Sequence, residues 1–399
     1  MIAGKDIIIV GIQPWDVEIG SNCKNIAYEF SKSNRVLYVN APLDQHSFIK
    51  YKNESFVQRR LEIMKNKNNL LQVADNIWNL YPEHIITSIN WLPGNFLYDR
   101  FNKLNNKKFA ADIMKGIEKL SFKDFILFND SDMLRSYYLD ELLEPSLSIY
   151  YSRDNLMAVE YWRKHGRILE PKLMKKSSLV CSNSPYLAEI ARQYNVNSFY
   201  VGQGCDFSMF DPAKVSDTPA DISTIKRPLI GYIGAVISSR LGLNLLSELC
   251  ERKSDWSFVF VGEADQDFKN SKLNQFENVH FLGKKDQIVL ASYLNQFDVA
   301  INPQVVNAMT VGNYPRKIDE YLSFGKPVVA TDTVTMSGIF KEFVYLAKSA
   351  DDYIILIDQA LKENNPSLKE QRIQFAKSHT WENSVHAIYD AVSQVKPNL

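Results

Sequence analysis

The sequence is poor in the features that mark secreted, metal-binding and nucleic-acid-binding proteins. Its 399 residues include only four cysteines, which are widely separated and without paired spacing. This argues against a disulfide framework or a zinc site. The six histidines show no metal-ligand spacing either. Lys plus Arg and Asp plus Glu number 46 each, so the overall basic excess typical of nucleic-acid binding is missing.

Long apolar runs are also missing. No apolar stretch approaches the length of a membrane span. The first residues lead directly into a strand pattern, without the charged and apolar regions of a signal peptide. We therefore expect a soluble, cytoplasmic protein. With 45% hydrophobic residues the chain can form substantial cores, and its length favours two or three domains.

The sequence does have a regular alternation of short β-branched runs and longer helix-like segments. This alternation predicts an α/β fold in which parallel sheets are wrapped by helices. Between residues 211 and 227, proline, serine, threonine and aspartate interrupt it, which predicts a linker. We therefore predict a Rossmann-like domain over 1–210, the linker over 211–227, a second Rossmann-like domain over 228–378 and a terminal helix over 379–399.

The most informative segment runs from Gly312 to Thr331. It consists of a polar loop, a short helix predicted to begin near Pro315, and a β-branched strand. The free N–H groups at a helix N-terminus attract phosphate. Lys317 and Glu320 are three residues apart, so they share one helical face. A cation for phosphate and a carboxylate for sugar hydroxyls can then reach the same nucleotide sugar.

This segment resembles the donor-site signature of retaining glycosyltransferases with the GT-B fold, in particular family 4 and its relatives. The resemblance rests on Glu320, the aromatic and aliphatic run after it, and Gly325-Lys-Pro-Val-Val329. It covers nearly the whole chain and is densest between Leu229 and Thr331. Relatives commonly have another glutamate eight positions before Glu320, where this chain has Gly312.

The resemblance implies a GT-B fold, with two Rossmann-like domains facing across a cleft and a C-terminal helix that returns to the N-terminal domain. It also implies transfer of a sugar, with retention of configuration, from a nucleoside-diphosphate sugar to a hydroxyl of a glycan or lipid-linked glycan. The second domain would bind the donor and the first would present the acceptor. No metal or other cofactor and no nucleic-acid partner is expected.

Two alternatives remain open. A nucleotide-sugar epimerase of the same architecture would need an acid/base pair beside the sugar. A non-catalytic nucleotide-sugar-binding subunit of a glycan-assembly complex is the second, and the loss of the usual glutamate at Gly312 favours it.

Several residues of the second domain are predicted to contact the donor. Glycines near the end of the first strand allow a backbone to approach a diphosphate, although tight packing explains such a pair equally well. The backbone amides of Asn313 and Tyr314 could replace the missing glutamate. The predicted donor-binding residues are Gly231, Gly234, Gly262, Glu263, Gly283, Asn302, Asn313, Tyr314, Arg316 and Glu320.

Three cations are candidates for the donor phosphates. Relatives place a cation where this chain has Arg240, and we predict that Arg240 and Lys317 stabilise the departing diphosphate. The alternative for each is a solvated position on a helix. Arg316 is predicted either to contact phosphate or to pair with Asp319.

The first domain is predicted to bind the acceptor, because ligands lie at the carboxyl ends of parallel strands. Trp15 could stack on a sugar face or be a structural tryptophan. Either Asp130 or Asp154 could hydrogen-bond the acceptor hydroxyl, and Arg153 an acceptor phosphate. The predicted acceptor-binding residues are Trp15, Asp16, Ser21 and Arg153, and Asp130 and Asp154 are predicted to be catalytic.

Two further patterns have ordinary explanations. The triplet Asp130-Ser-Asp132 matches the metal-binding Asp-x-Asp of GT-A transferases, but it lies outside the predicted donor domain. We interpret it as a helix cap plus one cleft residue.

The basic stretches 50–69 and 100–123 are either solvated helix faces or a surface for anionic lipid. On such a surface each basic residue adds about 1 kcal/mol to the free energy of membrane binding. The second interpretation would place the protein at the inner face of the cell membrane.

Overall fold

In a computed structural model, the structure describes residues 2–16, 21–66, 68–94, 96–207, 210–215, 217–363 and 365–398. The chain divides into two compact units. The first comprises Met1–Gly202 and Trp381–Leu399, and the second comprises Gln203–Thr380. The division therefore falls before the predicted boundary at residue 210.

The first unit is built on a sheet of eight strands in the described part of the chain. The strands are β1 (Asp6–Gly11), β2 (Arg35–Val39), β3 (Leu70–Ala74), β4 (Ile77–Leu80), β5 (Ile126–Asp130), β6 (Leu147–Ser152), β7 (Leu179–Ser182) and β8 (Ser198–Tyr200). Their order is β3-β4-β2-β1-β5-β6-β7-β8, and neighbours are parallel except for β3 with β4. The helices that precede the second unit are α1 (Asn22–Ser31), α2 (Gln45–Lys50), α3 (Ser55–Asn66), α4 (Phe96–Leu120), α5 (Leu139–Leu143), α6 (Glu160–Lys176) and α7 (Pro185–Arg192).

The second unit is built on a six-stranded parallel sheet, counted over the same described ranges. The strands are β9 (Leu229–Ile233), β10 (Ser257–Val261), β11 (Val279–Gly283), β12 (Val299–Asn302), β13 (Val328–Thr331) and β14 (Tyr345–Ala347), in the order β11-β10-β9-β12-β13-β14. The helices are α8 (Ala220–Ser223), α9 (Leu243–Arg252), α10 (Gln266–Lys269), α11 (Leu290–Gln296), α12 (Lys317–Ser323), α13 (Val334–Ile339), α14 (Ala350–Leu361) and α15 (Pro366–Ser378).

The C-terminal helix, α16 (Trp381–Val395), belongs to the first unit. It buries Trp381, Val385, Ile388 and Val392, which recur on one helical face. These side chains enter the same apolar core as Phe30 of α1. The predicted return of the C-terminal helix to the N-terminal domain is confirmed.

The segment predicted to be a linker, residues 211–227, lies inside the second unit. Phe210 just before it and Ile222 within it are buried in that unit's apolar core. Ile222 lies on the short helix α8. These apolar contacts help to hold a polar stretch against the domain, and composition alone could not reveal them.

Between β5 and β6 the chain forms a turn followed by a short helix, Leu139–Leu143. The backbone N–H of Tyr138 donates to the side chain of Asn106 (2.8 Å) and not to a carbonyl one turn earlier. Asp132 accepts from the N–H groups of Leu134 and Arg135 (3.3 and 3.0 Å) and so stabilises a turn before the helix. The predicted helix cap is therefore wrong, because Asp132 caps a turn and the N-cap of α5 is Tyr138, which makes no side-chain capping bond.

A methyl group at Gly231, in the interior of β9, should destabilise the protein. An added Cβ would lie 2.2 Å from the ring of Phe297. Overpacking of this kind costs about 1 to 3 kcal/mol, and we expect Gly231→Ala to lower the free energy of unfolding by that amount in urea denaturation. Combining it with Phe297→Leu should cost less than the sum of the two single effects.

The control is Gly94→Ala, where the added Cβ meets only His165 Nδ1 at 3.6 Å. Its stability should stay within about 0.5 kcal/mol of the wild type. Equal stability of Gly231→Ala and Gly94→Ala would contradict the packing role of Gly231.

Candidate functional site

The carboxyl ends of β9, β10 and β11 meet through glycines. Gly234 and Gly262 have φ of 137° and 155°, conformations that L side chains rarely adopt. A Cβ on Gly262 would lie 1.9 Å from the carbonyl oxygen of Gly234. The N–H of Gly234 donates to Val261 and that of Gly262 to Gly283 (both 2.9 Å). These glycines therefore fix the shape of the strand ends, while their own amides are already used.

The other predicted residues on these strands have different surroundings. Gly231 faces the ring of Phe297, so packing explains it. Gly283 has φ of 71° and open space where a side chain would be. The carboxylate of Glu263 is exposed and pairs with Lys269 (2.8 Å).

Helix α12 is attached directly to the end of β9. The hydroxyl of buried Tyr321 accepts from the N–H of Ile233 (2.8 Å) and donates to its carbonyl (3.3 Å). Lys317, in the first turn of α12, lies 3.9 Å from the ring centroid of Tyr232 and donates to its hydroxyl. A Cβ on Gly234 would be 2.9 Å from the Lys317 ammonium. The structure thus brings Lys317 and Gly234 together at the end of one strand.

Glu320 lies one turn further along α12. It is half-buried, and its carboxylate has no hydrogen-bond partner within the described ranges. Burial raises the pKa of Glu320 above its ordinary value, while the positive charges of Arg316 and Lys317 oppose that shift. A carboxylate without a protein partner, close to two cations, can accept hydrogen bonds from ligand hydroxyls.

Asp319 lies between Lys317 and Glu320 in the sequence, and its side chain anchors α12 to neighbouring residues of the second unit. Its buried carboxylate is 2.7 Å from His379 Nδ1, and it accepts from the hydroxyl of Tyr314 (2.7 Å) and from the thiol of Cys205 (3.3 Å). Of the two alternatives for Arg316, pairing with Asp319 is wrong among the described residues, because these three partners surround the carboxylate.

The two residues whose amides could replace the glutamate missing at position 312 both make structural contacts. The N–H of Asn313 donates to the carbonyl of Thr310 (3.2 Å), so it is not open to a ligand. Tyr314 contributes its side chain to the Asp319 network. Gly312 itself is buried.

The loop over 304–312 is joined to the segment before α9. Val305 N–H donates to the carbonyl of Arg240 (2.9 Å), and the Asn307 side chain donates to the carbonyl of Ser239 (3.0 Å). The Arg240 side chain is exposed, without an ion-pair or hydrogen-bond partner in the described part of the chain. Asn302 is buried, and its side-chain amide lacks a partner among the same residues.

In the first unit, Arg153 joins two predicted catalytic carboxylates. Its Nε donates to Asp130 (2.8 Å) and its Nη1 to Asp154 (3.0 Å). Burial alone would lower the pKa of Arg153, but the charges of Asp130 and Asp154 raise it above its ordinary value. Asp130 is fully buried, whereas 44% of the Asp154 side chain is exposed. Asp154 is therefore the carboxylate that a ligand can reach.

The predicted acceptor residues near the first strand are held by structural contacts. The ring of Trp15 packs against Tyr28 and Tyr38, with centroids 5.4 and 5.1 Å away. Ser21 is the N-cap of α1, where its hydroxyl accepts from Lys24 N–H (3.2 Å). Asp16 lies 3.9 Å from Arg60. Residues 17–20, between Asp16 and Ser21, lie outside the described residues.

The described residues contain neither a metal-binding cluster nor a membrane-spanning helix. No group of three or more His, Cys, Asp or Glu side chains is arranged to hold a metal ion there. None of the described helices combines the length and apolar character needed to cross a membrane.

Comparison with known proteins finds a family match within the second unit. Residues 227–362 match the family model of glycosyl transferases group 1. A protein of Bacillus subtilis (strain 168) described as a teichuronic acid biosynthesis glycosyltransferase, TuaH, is 26% identical over 239 residues. That alignment covers 57% of this chain and 60% of the relative.

Solved structures confirm the predicted GT-B fold over the whole chain. Sucrose-phosphate synthase from Thermosynechococcus elongatus matches with a TM-score of 0.69 and 13% identity, covering 99% of this chain and all (100%) of that one. Anabaena HepE in complex with UDP matches with a TM-score of 0.65 and 13% identity, covering 98% and 100%. OtsA matches with a TM-score of 0.66 and 11% identity, covering 99% of each chain.

Loss of the Asp319 charge should destabilise the second unit. Asp319→Asn places an amide nitrogen or a neutral oxygen against three donors in a buried site. We expect a loss of about 3 kcal/mol in the free energy of unfolding, measured by urea denaturation. The matched control is Asp358→Asn, whose partly exposed pair with Lys253 should contribute less than about 1 kcal/mol. Equal effects of the two substitutions would contradict the anchoring role.

Proposed function

We propose that this chain is a glycosyltransferase that moves a sugar from a nucleoside-diphosphate sugar to a hydroxyl of a glycan or lipid-linked glycan. The observation that carries the proposal is the position of Lys317 and Glu320 on α12. This helix is hydrogen-bonded to the glycine-rich end of β9, within the region that matches the family model of glycosyl transferases group 1. The UDP complex of HepE, a protein of the same fold, supports a nucleotide sugar as donor.

The donor site would work mainly by electrostatics. Lys317 lies at the end of β9, and Arg316 and Arg240 have no carboxylate partners in the described chain. These cations would attract the diphosphate and stabilise the negative charge that grows on it as the sugar departs. Glu320 would accept hydrogen bonds from sugar hydroxyls, ribose hydroxyls in particular. In this mechanism the fixed cations take the place of a metal ion, and the sugar keeps its anomeric configuration.

The first unit would present the acceptor. Asp154 is the exposed member of the Asp130–Arg153–Asp154 group, which follows β5 and β6 at the carboxyl edge of the sheet. Asp154 would orient the attacking hydroxyl, with Arg153 available for an acceptor phosphate. Asp130 would act as a positioning residue, because it is buried and holds Arg153.

The site also favours one alternative, a nucleotide-sugar-binding subunit without turnover. Gly312 provides no carboxylate, and the neighbouring Asn313 amide is already bonded to Thr310. A chain of this kind would bind the donor and show no transfer with any acceptor. Transfer of sugar to a glycan acceptor would exclude this alternative.

Nucleotide affinity should depend on the Glu320 carboxylate. We expect one of UDP, GDP, ADP, CMP or dTDP, or one of their sugars, to raise the melting temperature of the wild type selectively. Glu320→Gln should weaken that ligand about 10-fold or more, since a hydrogen bond to a charged group is worth about 1.5 to 3 kcal/mol. The control is Glu277→Gln, an exposed glutamate just before β11. Equal shifts in the two variants would contradict the role of Glu320.

Donor affinity should depend on pH through the same carboxylate. The pKa of Glu320 is raised. As the pH falls, Glu320 therefore becomes protonated, and loses its negative charge, at a higher pH than an ordinary glutamate does. Calorimetric affinity for the selected nucleotide sugar, whose diphosphate stays ionised over this range, should therefore fall from pH 7 towards pH 5. Glu320→Gln should show a flat profile. Parallel profiles for the two proteins would assign the titration to another group.

A further inference from the structure

We propose that one face of the first unit docks on the surface of an anionic lipid bilayer. The face, named here the aromatic-basic face, is formed by three stretches, residues 45–66, 88–108 and 159–168. Its most protruding side chains are Ile49, Trp91 and Phe96, with 75%, 73% and 78% of their surface exposed. The proposal concerns a surface and does not depend on the donor site described above.

Hydrogen bonds place the three stretches side by side. His46 N–H, at the start of α2, donates to the Ser88 hydroxyl (2.8 Å), and Trp91 Nε1 donates to the Ser88 carbonyl (3.0 Å). Lys164 Nζ, on α6, donates to the carbonyl of Trp91 (2.9 Å). The rings of Tyr98 and His165 stack with centroids 3.6 Å apart and join the first turn of α4 to the second turn of α6. The loop that carries Trp91 therefore lies between α2, α4 and α6.

Exposed apolar side chains are concentrated on this face. Of the twenty exposed large hydrophobic side chains in the described chain, eleven lie in these three stretches. On α4 they include Phe96, Leu97, Phe101 and Leu104, which follow one another along the outer side of its first turns. An exposed apolar patch of this size indicates a surface that binds a protein, a ligand or a membrane.

Positive charge is concentrated on the same face. The three stretches carry eleven exposed Lys and Arg residues against four Asp and Glu, although the whole chain has no net charge. One of the four, Asp99, is hydrogen-bonded to the Tyr138 hydroxyl. Anionic headgroups would attract such a surface, and the basic residues would contribute additively.

The combination fits a lipid surface better than a protein or a nucleic acid. Lysine is depleted at protein–protein interfaces, whereas lysine and arginine around aromatic and aliphatic side chains are typical of interfacial membrane binding. Nucleic-acid bases would stack on Trp91 or Phe96, but they would not stabilise the exposed aliphatic side chains Ile49, Leu97 and Leu104. An acyl-chain boundary accommodates aromatic and aliphatic side chains alike.

The test is sedimentation of the full chain with sucrose-loaded vesicles of phosphatidylcholine, with and without 30% phosphatidylglycerol. We expect binding to the anionic vesicles that is lost with pure phosphatidylcholine and weakened by 0.5 M NaCl, because salt screens the attraction. Lys107→Glu/Lys108→Glu should reduce the partition coefficient about 30-fold or more. The matched control, Lys341→Glu/Lys377→Glu, makes the same charge change on exposed lysines of the second unit and should bind like the wild type.

The apolar contribution has its own pair of variants. Trp91→Ala/Phe96→Ala should weaken vesicle binding at least 10-fold, whereas Ile288→Ala/Ile355→Ala, also exposed, should not. Intrinsic fluorescence gives a further measurement with a milder change. Anionic vesicles should shift the wild-type emission to the blue, and Trp91→Phe should reduce that shift without loss of stability.

Three results would overturn the proposal. The first is equal binding of the wild type to neutral and anionic vesicles, or equal binding of the charge variant and its control. The second is binding to a DNA oligonucleotide without binding to vesicles, which would assign the face to nucleic acid. The third is a dimer in sedimentation velocity that Trp91→Ala/Phe96→Ala dissociates, in the absence of vesicle binding.

Discussion

The candidate donor site depends on the attachment of one short helix to one strand. Tyr321 uses its hydroxyl to bond both backbone groups of Ile233, so α12 cannot slide along β9 without losing two buried hydrogen bonds. Asp319 holds the same helix from its other side. Because α12 has only seven residues, an isolated helix of this sequence would not be stable in water. Its geometry is therefore set by these contacts, and Lys317 and Glu320 inherit their positions from it.

The Asp319 network also links the beginning and the end of the second unit. Cys205 lies near the start of this unit and His379 near its end, and both contact the carboxylate of Asp319. Residues separated by most of the domain thus converge on the helix that carries the candidate ligand groups. Removing a buried carboxylate from its donors leaves those donors unsatisfied, which costs more than the net strength of the bonds. The stability of the unit and the placement of Lys317 are consequently linked.

The parts of this arrangement that follow from local sequence could be predicted. Alternation of strands and helices indicates the fold, and helical spacing places Lys317 and Glu320 on one face. The rest requires knowledge of distant partners. Gly231 and Gly234 look alike in the sequence, but only the position of Phe297 reveals that Gly231 is a packing residue. Similarly, two of the three partners of Asp319, Cys205 and His379, are 114 and 60 residues away in the chain, beyond the reach of periodicity.

The aromatic-basic face and the acceptor residues share one edge of the first unit. Strands β2, β4 and β6 run parallel with β1 and β5, so their carboxyl ends lie at the same edge of the sheet. Helices α2, α4 and α6, which carry the face, follow those strands, and Arg153 and Asp154 follow β6 directly. The basic stretches were visible in the sequence, but the exposure of Trp91 and Phe96 was not, because aromatic residues are usually buried. A bilayer held at this edge would bring lipid-linked hydroxyls to the carboxyl ends of the strands, where Asp154 is exposed. Placement of this kind would favour a lipid-linked acceptor over a freely diffusing one, since docking raises the local concentration of acceptor beside the residues proposed to orient it.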